Sequence, residues 1–547
     1  MKKLNLLGLF ILVQLFSPKS FGLVCPDNST IKACPTSGST LLDETYPTQA
    51  FVISNQPYNP SNESSKVTQK FVSKIIESYD YQNVPQVILQ VQERSEFNEI
   101  VNQIRQDLTK KKISPEKINI ILAQVTWGNM PNYLWQQDWF ESFINPKTGQ
   151  PVIRQLDSYE RVNLDASLTF AENSGQCGIT SGESLKENFG DPESMRDIRS
   201  QGLSFGSGEM GGNIEGAPGG LCLVGDNLGK TLSSDFCGSQ KNVITLQTSW
   251  MSVGHVDEIF KIIPTQYNDG RPKECEFSLM SASPKKALEL MSHPQRGQTS
   301  FVNLNLNSAE TDVVQKRISR TNEQFQVNHE ICLYIHNAVI NNPKNFNSLP
   351  SATRSVFLKL FFGNEAHAQS ATPSFKTRKN LDIKEITQNC RNNIDQVTNF
   401  QMQQLMKINP DFMTLNNAIE ESIAKDKALI KSRILSRLPQ CQKYYDELDV
   451  PNIFFNGKTY KTSDGKIHLQ RPSSASSFLP NPTNSVLMNK TLLVPNSEND
   501  LYNDYLKDEL KKRKIKTDFI PTWDYAHLGY GNLHCASHSI NHCKPNK

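Results

Sequence analysis

The stretch VILQVQERSEFNEIVNQIRQDL, residues 87–108, sets the fold class. Its first part, Val87–Val91, is short, apolar and rich in branched residues, which predicts a buried strand. Ser95 can then cap a helix, along which apolar residues recur on one face. These residues are Phe97, Ile100, Val101, Ile104 and Leu108. A strand followed directly by a helix indicates an α/β fold.

The same order of elements recurs outward along the chain. Ile118–Val125 is apolar and predicts a second strand after the helix, and Val243–Thr248 predicts another. Near the C-terminus, Leu492–Val494 predicts a strand, residues 498–513 a charged helix, and Phe519–Ile520 the start of a further strand. Strands that alternate with helices at both ends of the chain favour an α/β architecture.

Residues 1–22 have the features of a secretory signal peptide. Lys2 and Lys3 precede an apolar run, Leu4–Phe16, and Ser20-Phe21-Gly22 offers a cleavage site between small residues. We therefore expect an exported protein, periplasmic or extracellular, whose mature chain starts near Leu23. No later stretch is long and apolar enough to predict a membrane span.

Two segments differ in amino-acid composition from the rest of the chain. Residues 23–66 are rich in Pro, Ser, Thr and Asn, which predicts a lead-in segment with little regular structure. Residues at about 320–413 are polar and helical in pattern, which predicts a mainly helical insertion. The chain after the signal peptide, roughly 525 residues, is long enough for one large domain with insertions or for two or three modules.

Charge and cysteine content restrict the possible partners. Lys and Arg number 58 against 55 for Asp and Glu, so the balance gives no reason to expect a nucleic acid. Eleven cysteines in an exported chain predict disulfides and leave at least one thiol unpaired. Cys25 and Cys34 are close enough in sequence to pair, whereas the spacing of the other cysteines reveals no partners.

A carboxylate among aromatic residues marks the first candidate site stretch, WQQDWFE at residues 135–141. Asp138 lies close to Trp135 and Trp139, in surroundings that hydrate a carboxylate poorly. It therefore needs a cation or strong hydrogen-bond donors. A structural aspartate with satisfied hydrogen bonds is the alternative.

A histidine and a carboxylate two residues apart mark the second stretch, WMSVGHVDE at residues 250–258. If the preceding strand continues, His255 and Asp257 point to one face. A proton carrier beside an anionic anchor is the minimum for acid–base chemistry on a cationic substrate. A metal-binding pair, or a core histidine bonded to its neighbour, is the alternative.

The third stretch, GYGNLHCASHS at residues 529–539, places Cys535 among histidine and glycine residues. Such surroundings can lower the pKa of a thiol, which makes Cys535 our candidate for the unpaired thiol. A disulfide between Cys535 and Cys543 is the alternative.

A glycine-rich segment, residues 202–220, contains Gly206-x-Gly208-x-x-Gly211, the spacing of a dinucleotide-binding loop. The residues that follow cannot start a stable helix, so we reject that interpretation. Dense glycines instead let backbone carbonyls approach a ligand closely, and Glu209 and Glu215 indicate that this ligand is a cation.

In this order, the motifs WxQD, GGNIE, SVGHVDE and LHC resemble the catalytic domain of the calcium-dependent protein-arginine deiminases, members of the guanidino-group-modifying superfamily. SASP at residues 281–284 and FLPNPTN at residues 478–484 also resemble that family. The resemblance implies one catalytic domain over residues 67–547, interrupted by the insertion. It also implies a pentein-type α/β propeller of five pseudosymmetric blades.

The resemblance assigns roles to five residues. Cys535 would be the nucleophile, and His255 would be the general acid and then the general base. Asp138 and Asp257 would grip the guanidinium nitrogens, and Trp135 would line the substrate site. The implied reaction is hydrolytic deimination of peptidyl arginine to citrulline with release of ammonia, through a cysteine thiouronium intermediate.

Calcium is the cofactor that the resemblance implies. All the ligands of its inner site are oxygen atoms, as a hard cation requires. They would be the side chains of Gln137, Glu141 and Glu215 and the backbone carbonyls of Gly211 and Ile214. A second site of animal relatives needs an acidic residue where this chain has Trp139 and an asparagine where it has Arg161. We therefore expect the second site to be absent or altered.

Two departures from the family leave the substrate open. We expect neither the immunoglobulin-like modules of the animal enzymes nor their arginine that holds the substrate backbone. The first alternative is a deiminase or amidinotransferase acting on free arginine, agmatine or another small guanidine. The second is a non-catalytic, secreted calcium-binding protein with Cys535 locked in a disulfide.

Overall fold

A computed structural model of the chain gives the positions of the elements that carry the candidate site. The residues that it describes are 34, 41–55, 64–91, 93–128, 135–138, 140–144, 151–155, 211–228, 233–234, 236–265, 267, 269–302, 331–332, 334–336, 343–362, 390, 394–523, 525–527 and 531–543.

The described ranges contain both helices and strands. The helices are α1 (Ser64–Ser78), α2 (Arg94–Lys110), α3 (Pro115–Ala123), α4 (Pro284–Met291), α5 (Pro343–Asn347), α6 (Ser351–Phe362), α7 (Asn399–Lys407), α8 (Pro410–Arg437) and α9 (Asp500–Lys512). The strands are β1 (Thr48–Ser54), β2 (Gln86–Gln90), β3 (Val125–Gly128), β4 (Phe140–Ile144), β5 (Pro151–Gln155), β6 (Ile214–Ala217), β7 (Leu221–Gly225), β8 (Val243–Leu246), β9 (Phe260–Pro264), β10 (Phe277–Ser283), β11 (Asp446–Pro451), β12 (Phe454–Phe455), β13 (Thr459–Lys461), β14 (Ile467–Leu469), β15 (Ser476–Ser477), β16 (Val486–Met488), β17 (Thr491–Pro495), β18 (Lys516–Ile520) and β19 (Ser537–Asn541).

Several sheets repeat one order of strands. In β6-β7-β8, β9-β10-β11 and β16-β17-β18, the first two strands are antiparallel and the third returns parallel to the second. The sheet β19-β1-β2-β3 has the same order, because β19 is antiparallel to β1 and the other two are parallel. The pairs β4-β5, β12-β15 and β13-β14 are antiparallel. The α/β class is therefore confirmed, while the five-bladed propeller stays a prediction.

The strand and helix predicted from residues 87–108 are both present. The prediction that Ser95 caps the helix is wrong, because the helix begins at Arg94 and its N-cap is Glu93. β2 is buried along its whole length, and α2 buries Phe97, Ile100, Ile104 and Leu108. The apolar spacing therefore identified the inner face of the helix.

The predicted strand at Ile118–Val125 is wrong over most of its length, because the chain there forms helix α3. Ser114 accepts a hydrogen bond from the backbone N–H of Lys117, and Pro115 occupies the first turn, so both start signals of a helix are present. An apolar run of this length does not by itself distinguish a buried helix from a buried strand. The strand β3 begins only at Val125.

The expectation that the lead-in segment has little regular structure is wrong for residues 48–54. These residues form β1, which is buried along its whole length and lies between β2 and β19. A strand that is covered on both faces shows no alternation of polar and apolar residues, so its sequence lacks the usual signal. The segment therefore supplies a central strand of the largest sheet in the described part of the chain.

The later helical region packs on the sheets that carry the second candidate stretch. Ile419, Ile423 and Ile430 of α8 share a core with Val256 and with apolar residues of β7 to β10. Each such side chain stabilises the fold by about 1.5–3 kcal/mol when it is fully buried. Helices α5 and α6 lie in the predicted insertion, whose boundaries stay a prediction.

The described part of the chain contains four disulfides, namely Cys34–Cys543, Cys222–Cys237, Cys275–Cys441 and Cys332–Cys390. The expected Cys25–Cys34 pair is therefore wrong, and so is the alternative that Cys543 blocks Cys535. Cys535 is buried and carries no disulfide. Among the described helices, none is long and apolar enough to cross a membrane.

Candidate active site

Cys535 lies in the turn before β19, and its backbone holds the first candidate stretch. The backbone N–H of Gln137 donates to the Cys535 carbonyl at 3.2 Å. A methyl group at Gly531 would fall 2.6 Å from the ring of Trp135 and 3.2 Å from Cys535 Cβ. The turn therefore brings Trp135 and Cys535 together, and a side chain at position 531 would force them apart.

The second candidate stretch enters the site as a turn. The prediction that His255 and Asp257 continue a strand is wrong, because Gly254 has a positive φ of 75° and residues 256–258 form one 3-10 turn. The two side chains nevertheless face the same place. A methyl group at Gly212 would lie 2.6 Å from His255 Nδ1 and 3.1 Å from Asp257 Oδ2.

The four predicted catalytic residues converge on one buried pocket. His255, Asp257 and Cys535 each place a polar atom within 4.8 Å of the others. His255 Nδ1 also lies 3.9 Å from Asp138 Oδ1, and all four residues are buried. The pocket therefore combines a sulfur nucleophile, a proton carrier and two carboxylates, which is a set suited to acid–base and covalent chemistry.

Polar contacts fix the sulfur of Cys535. It lies 3.2 Å from Asp257 Oδ2 and 3.6 Å from Glu258 Oε1, and Asn484 Nδ2 donates to it at 3.0 Å. Asn484 Oδ1 accepts from the backbone N–H groups of Cys535 and of the preceding residue, at 3.3 and 2.9 Å. Burial and the charges of Asp257, Glu258 and Asp138 raise the pKa of Cys535 well above its ordinary value. Without a cation, the pocket therefore holds the protonated thiol.

Asp257 is hydrogen-bonded through one oxygen. Oδ2 accepts from the thiol and lies 2.9 Å from His534 Nδ1, whereas Oδ1 is buried and has no hydrogen-bond partner in the described part of the chain. Burial alone would raise the pKa of Asp257, but the hydrogen bond and charge of His534 hold it below its ordinary value. An ionised, buried oxygen of this kind is suited to a cationic donor.

Three residues that the sequence analysis did not single out adjoin the pocket. His534 Nε2 lies 2.7 Å from Glu44 Oε1, and Glu44 Oε2 lies 2.7 Å from Lys261 Nζ. Burial would raise the pKa of Glu44, but Lys261 and His534 lower it to about 2. Burial and Lys261 oppose a charge on His534, but the surrounding carboxylates raise its pKa to about 10. The position of His534 beside Cys535 was a usable signal, whereas Glu44 and Lys261 belong to no motif.

A small polar cavity next to His534 is lined by predicted calcium ligands, among them Gln137, Glu141 and Glu215. A methyl group at Gly211 would fall 2.6 Å from Glu141 Oε1 and closer still to the Gln137 carbonyl, so the backbone there lies against both groups. Burial and the charge of Glu215 raise the pKa of Glu141 well above its ordinary value, and burial raises that of Glu215 to about 7. Two buried carboxylates that resist ionisation indicate a place for a cation.

Other predicted positions lie outside the described residues. They include Trp139 and Arg161, on which the expectation of an altered second calcium site rests, and the glycine-rich segment before residue 211.

Comparison with known proteins supports the resemblance over one part of the chain. The family model described as protein-arginine deiminase (PAD) matches residues 224–341, which include His255 and Asp257. The resemblance to that family is confirmed for this segment, which is less than half of the chain. No curated protein matches the sequence.

Solved structures show distant similarity. The agmatine deiminase of C. jejuni is 12% identical with a TM-score of 0.38, over 93% of this chain and 97% of that one. The agmatine deiminase of Enterococcus faecalis is 11% identical with a TM-score of 0.36, over 94% and 99% of the two chains. Similarity this low does not bear on the fold or on the substrate.

Proposed function

We propose that this chain deiminates peptidyl arginine, hydrolysing the guanidino group to the ureido group of citrulline and releasing ammonia. The observation that carries the proposal is a buried thiol in contact with Asp257, whose second oxygen has no hydrogen-bond partner among the described residues. His255 and Asp138 complete the set that this chemistry needs. The match of residues 224–341 to a deiminase family supports action on a guanidino group.

A guanidinium ion suits this pocket because it brings a positive charge to the buried Oδ1 of Asp257, which has no hydrogen-bond partner among the described residues. It is planar and has several N–H donors, so it can bond to Asp138 and Asp257 together. A neutral ligand would give the buried Oδ1 of Asp257 no cationic donor. A cation beside the sulfur also opposes the negative charges that raise the pKa of Cys535, so bound substrate favours the thiolate.

The reaction proceeds in two stages. The Cys535 thiolate attacks the guanidinium carbon and forms a carbon–sulfur bond, and His255 protonates one nitrogen, which leaves as ammonia. A thiouronium group then remains on Cys535. In the second stage, His255 removes a proton from water, the oxygen bonds to the same carbon, and the carbon–sulfur bond breaks. The products are the ureido group and the free sulfur nucleophile.

Calcium fits the acidic cavity, because its donors are hard oxygen atoms and because burial raises the pKa values of Glu141 and Glu215 although the charge of His534 opposes this. When bound, the ion would neutralise these carboxylates and hold Gln137 and Glu141 at the cavity, and with Gln137 its neighbour Asp138. The ligands would be oxygen atoms of Gln137, Glu141, Gly211, Ile214 and Glu215.

The choice of peptidyl arginine and the exported location rest on two further observations. The matched family is named for protein-arginine deimination, which favours a protein substrate over a small guanidine. Four disulfides in the described part of the chain support an oxidising compartment, because such bonds rarely persist in the cytosol.

Measuring ureido product from three substrates tests the proposal, namely an arginine-containing peptide, free arginine and agmatine, each with calcium and with a chelator. We expect the peptide to have the highest kcat/KM and the chelator to lower it at least about tenfold. Cys535→Ala should abolish product formation without loss of folded protein, because its side chain makes no disulfide.

Each outcome has a defined meaning. Faster turnover of agmatine or free arginine would replace the peptide with a small guanidine as the substrate. Activity that the chelator leaves unchanged would contradict the calcium assignment. If none of the three substrates gives ureido product, although iodoacetamide still labels Cys535, the deiminase proposal is wrong.

A further inference from the structure

A line of buried charged groups leads from β9 to the guanidinium-binding carboxylate. Lys261 Nζ lies 2.7 Å from Glu44 Oε2, and Glu44 Oε1 lies 2.7 Å from His534 Nε2. His534 Nδ1 then lies 2.9 Å from Asp257 Oδ2. The charges alternate in sign along the line, so each group compensates its neighbours.

The charged side chains that make these contacts are buried. The side chains of Lys261, Glu44 and His534 are 5%, 10% and 7% exposed. Charges removed from water in this way are stable only when each has a partner at close range. The pKa of Glu44, lowered to about 2 by Lys261 and His534 against the effect of burial, agrees with a permanently ionised link.

His534 has both ring nitrogens engaged, which fixes the plane of its ring. With Nε2 held by Glu44, Nδ1 is directed at Asp257 Oδ2. Because Oδ2 is thereby occupied, the carboxylate of Asp257 presents its other oxygen, Oδ1, as the one without a hydrogen-bond partner among the described residues. The orientation of this oxygen determines how a guanidinium ion sits relative to the sulfur of Cys535, since Asp257 and Cys535 are in contact.

We propose that Glu44, His534 and Lys261 are positioning residues that orient Asp257 toward its cationic ligand, so that the lead-in segment completes the active site. The identity of that ligand as a guanidinium rests on the proposed function. Glu44 lies just before β1, and β1 is anchored between β2 and β19. The lead-in segment therefore delivers a carboxylate to the site in addition to its strand.

The probe of this proposal is the sulfur itself. In folded protein, Cys535 is alkylated with a haloacetamidine, which is cationic and planar, and separately with iodoacetamide, which is neutral. The ratio of the two rates reports how well Asp257 directs a cation to the sulfur. A change in access to the pocket, or partial unfolding, alters both rates and largely cancels in the ratio.

Glu44→Gln should lower the ratio about tenfold and lower kcat/KM for the guanidino substrate about 10- to 100-fold, mainly through KM. Glu44→Asp keeps the charge and should restore part of both. Lys261→Met should act in the same direction by a smaller factor. In the double variant, loss of Lys261 should add little to loss of Glu44, because the ion-pair contact of Lys261 with the line is the one to Glu44.

Lys427→Met is the matched control. Lys427 is also a partly buried lysine between two carboxylates, 3.1 Å from Glu447 and 2.6 Å from Asp449, but it does not contact the site. It should leave the rate ratio within about twofold of the wild-type value.

The outcomes separate this proposal from the proposed function. A ratio unchanged in Glu44→Gln and Lys261→Met, or effects that multiply in the double variant, overturns the positioning role. A wild-type protein without preference for the cationic reagent overturns both proposals. A wild-type preference that Glu44→Gln abolishes, in a protein without activity on any guanidine, supports the positioning role and rejects the deiminase.

Discussion

Glu44 and Glu258 are both carboxylates in the interior near Asp257, yet they reach opposite states. Glu44 lies between Lys261 and His534, which lower its pKa to about 2 although burial opposes this. Burial and the charge of Asp257 raise the pKa of Glu258 to about 8. Glu258 accepts from Asn481 Nδ2 at 2.7 Å, but a neutral amide does not replace a countercharge.

The difference between the two regions shows where the chain supplies its own cations. Around Glu44, the positive groups belong to the protein, and the charges are compensated whether or not a ligand is present. Around the Cys535 sulfur, the hydrogen-bond contacts are two carboxyl groups and an amide, and the nearby acidic charges raise the pKa of the thiol. A cationic substrate bound there would oppose those charges and favour the thiolate.

Asp257 lies in both regions, so Asp257→Asn should have the largest effect on activity. Loss of its charge removes a buried partner of the guanidinium, which is worth about 3–5 kcal/mol, so kcat/KM should fall on the order of 10³-fold. Steady-state kinetics with the best substrate measures this effect.

Asp426→Asn is the control for that substitution. Asp426 is also buried, and it accepts from the backbone N–H of Gln247 away from the pocket. It should change kcat/KM by no more than about twofold in folded protein. A loss of activity at Asp257 no larger than at Asp426 would contradict the guanidinium-binding role.

The pH dependence of stability should distinguish Glu258 from Glu44. The folded chain keeps the proton of Glu258 up to about pH 8, whereas the unfolded chain loses it near the ordinary value of 4.5. The stabilising effect of that proton is therefore complete below pH 4.5 and is lost as the pH rises through 8. Glu258→Gln stays neutral, so its calcium-free stability should fall less over this range.

Glu44→Gln should change the stability of the protein at the acidic end of the pH range. The lowered pKa of Glu44 contributes stability above pH 4.5 that disappears as the pH falls through about 2. Urea unfolding of calcium-free protein across the pH range measures both variants. Curves that run parallel to the wild type for both substitutions would refute the assigned ionic states.

The smallest effect on stability is expected for the loss of a surface ion pair. Lys466 lies 3.0 Å from Asp464 in the turn between β13 and β14, and the two side chains are 74% and 53% exposed. Because solvent screens such a pair, Lys466→Ala should leave the thermal midpoint unchanged within error. If Lys466→Ala lowered the thermal midpoint as much as Lys261→Met does, burial would not be what separates the two lysines.

Sequence patterns located the reactive half of the site because its residues stand in short, unusual stretches. Asp138, His255 and Cys535 each occur among aromatic, glycine or histidine residues that mark them out. Glu44 and Lys261 have no such surroundings, and their contact joins positions far apart in the chain. Long-range ion pairs of this kind follow from the fold and leave no local signal.

Local sequence patterns also predicted only part of the fold. Periodicity identified the helix at residues 94–110, since one face of it is buried and the other is not. Periodicity did not identify β1, because this strand has no exposed face. It also assigned α3 as a strand, because the apolar run was given more weight than the helix start signals at Ser114 and Pro115. The repeated strand order needs pairing between distant segments, which no single stretch encodes.

The bond between Cys34 and Cys543 joins positions 509 apart in sequence and so closes most of the chain into a covalent ring. A protease that cuts one loop within that ring opens it but does not release a fragment. Singly nicked protein should therefore migrate as one species without reductant and as two pieces with it. Both pieces would stay at the site, since β1 of the lead-in segment pairs directly with β19, which follows the turn that carries Cys535.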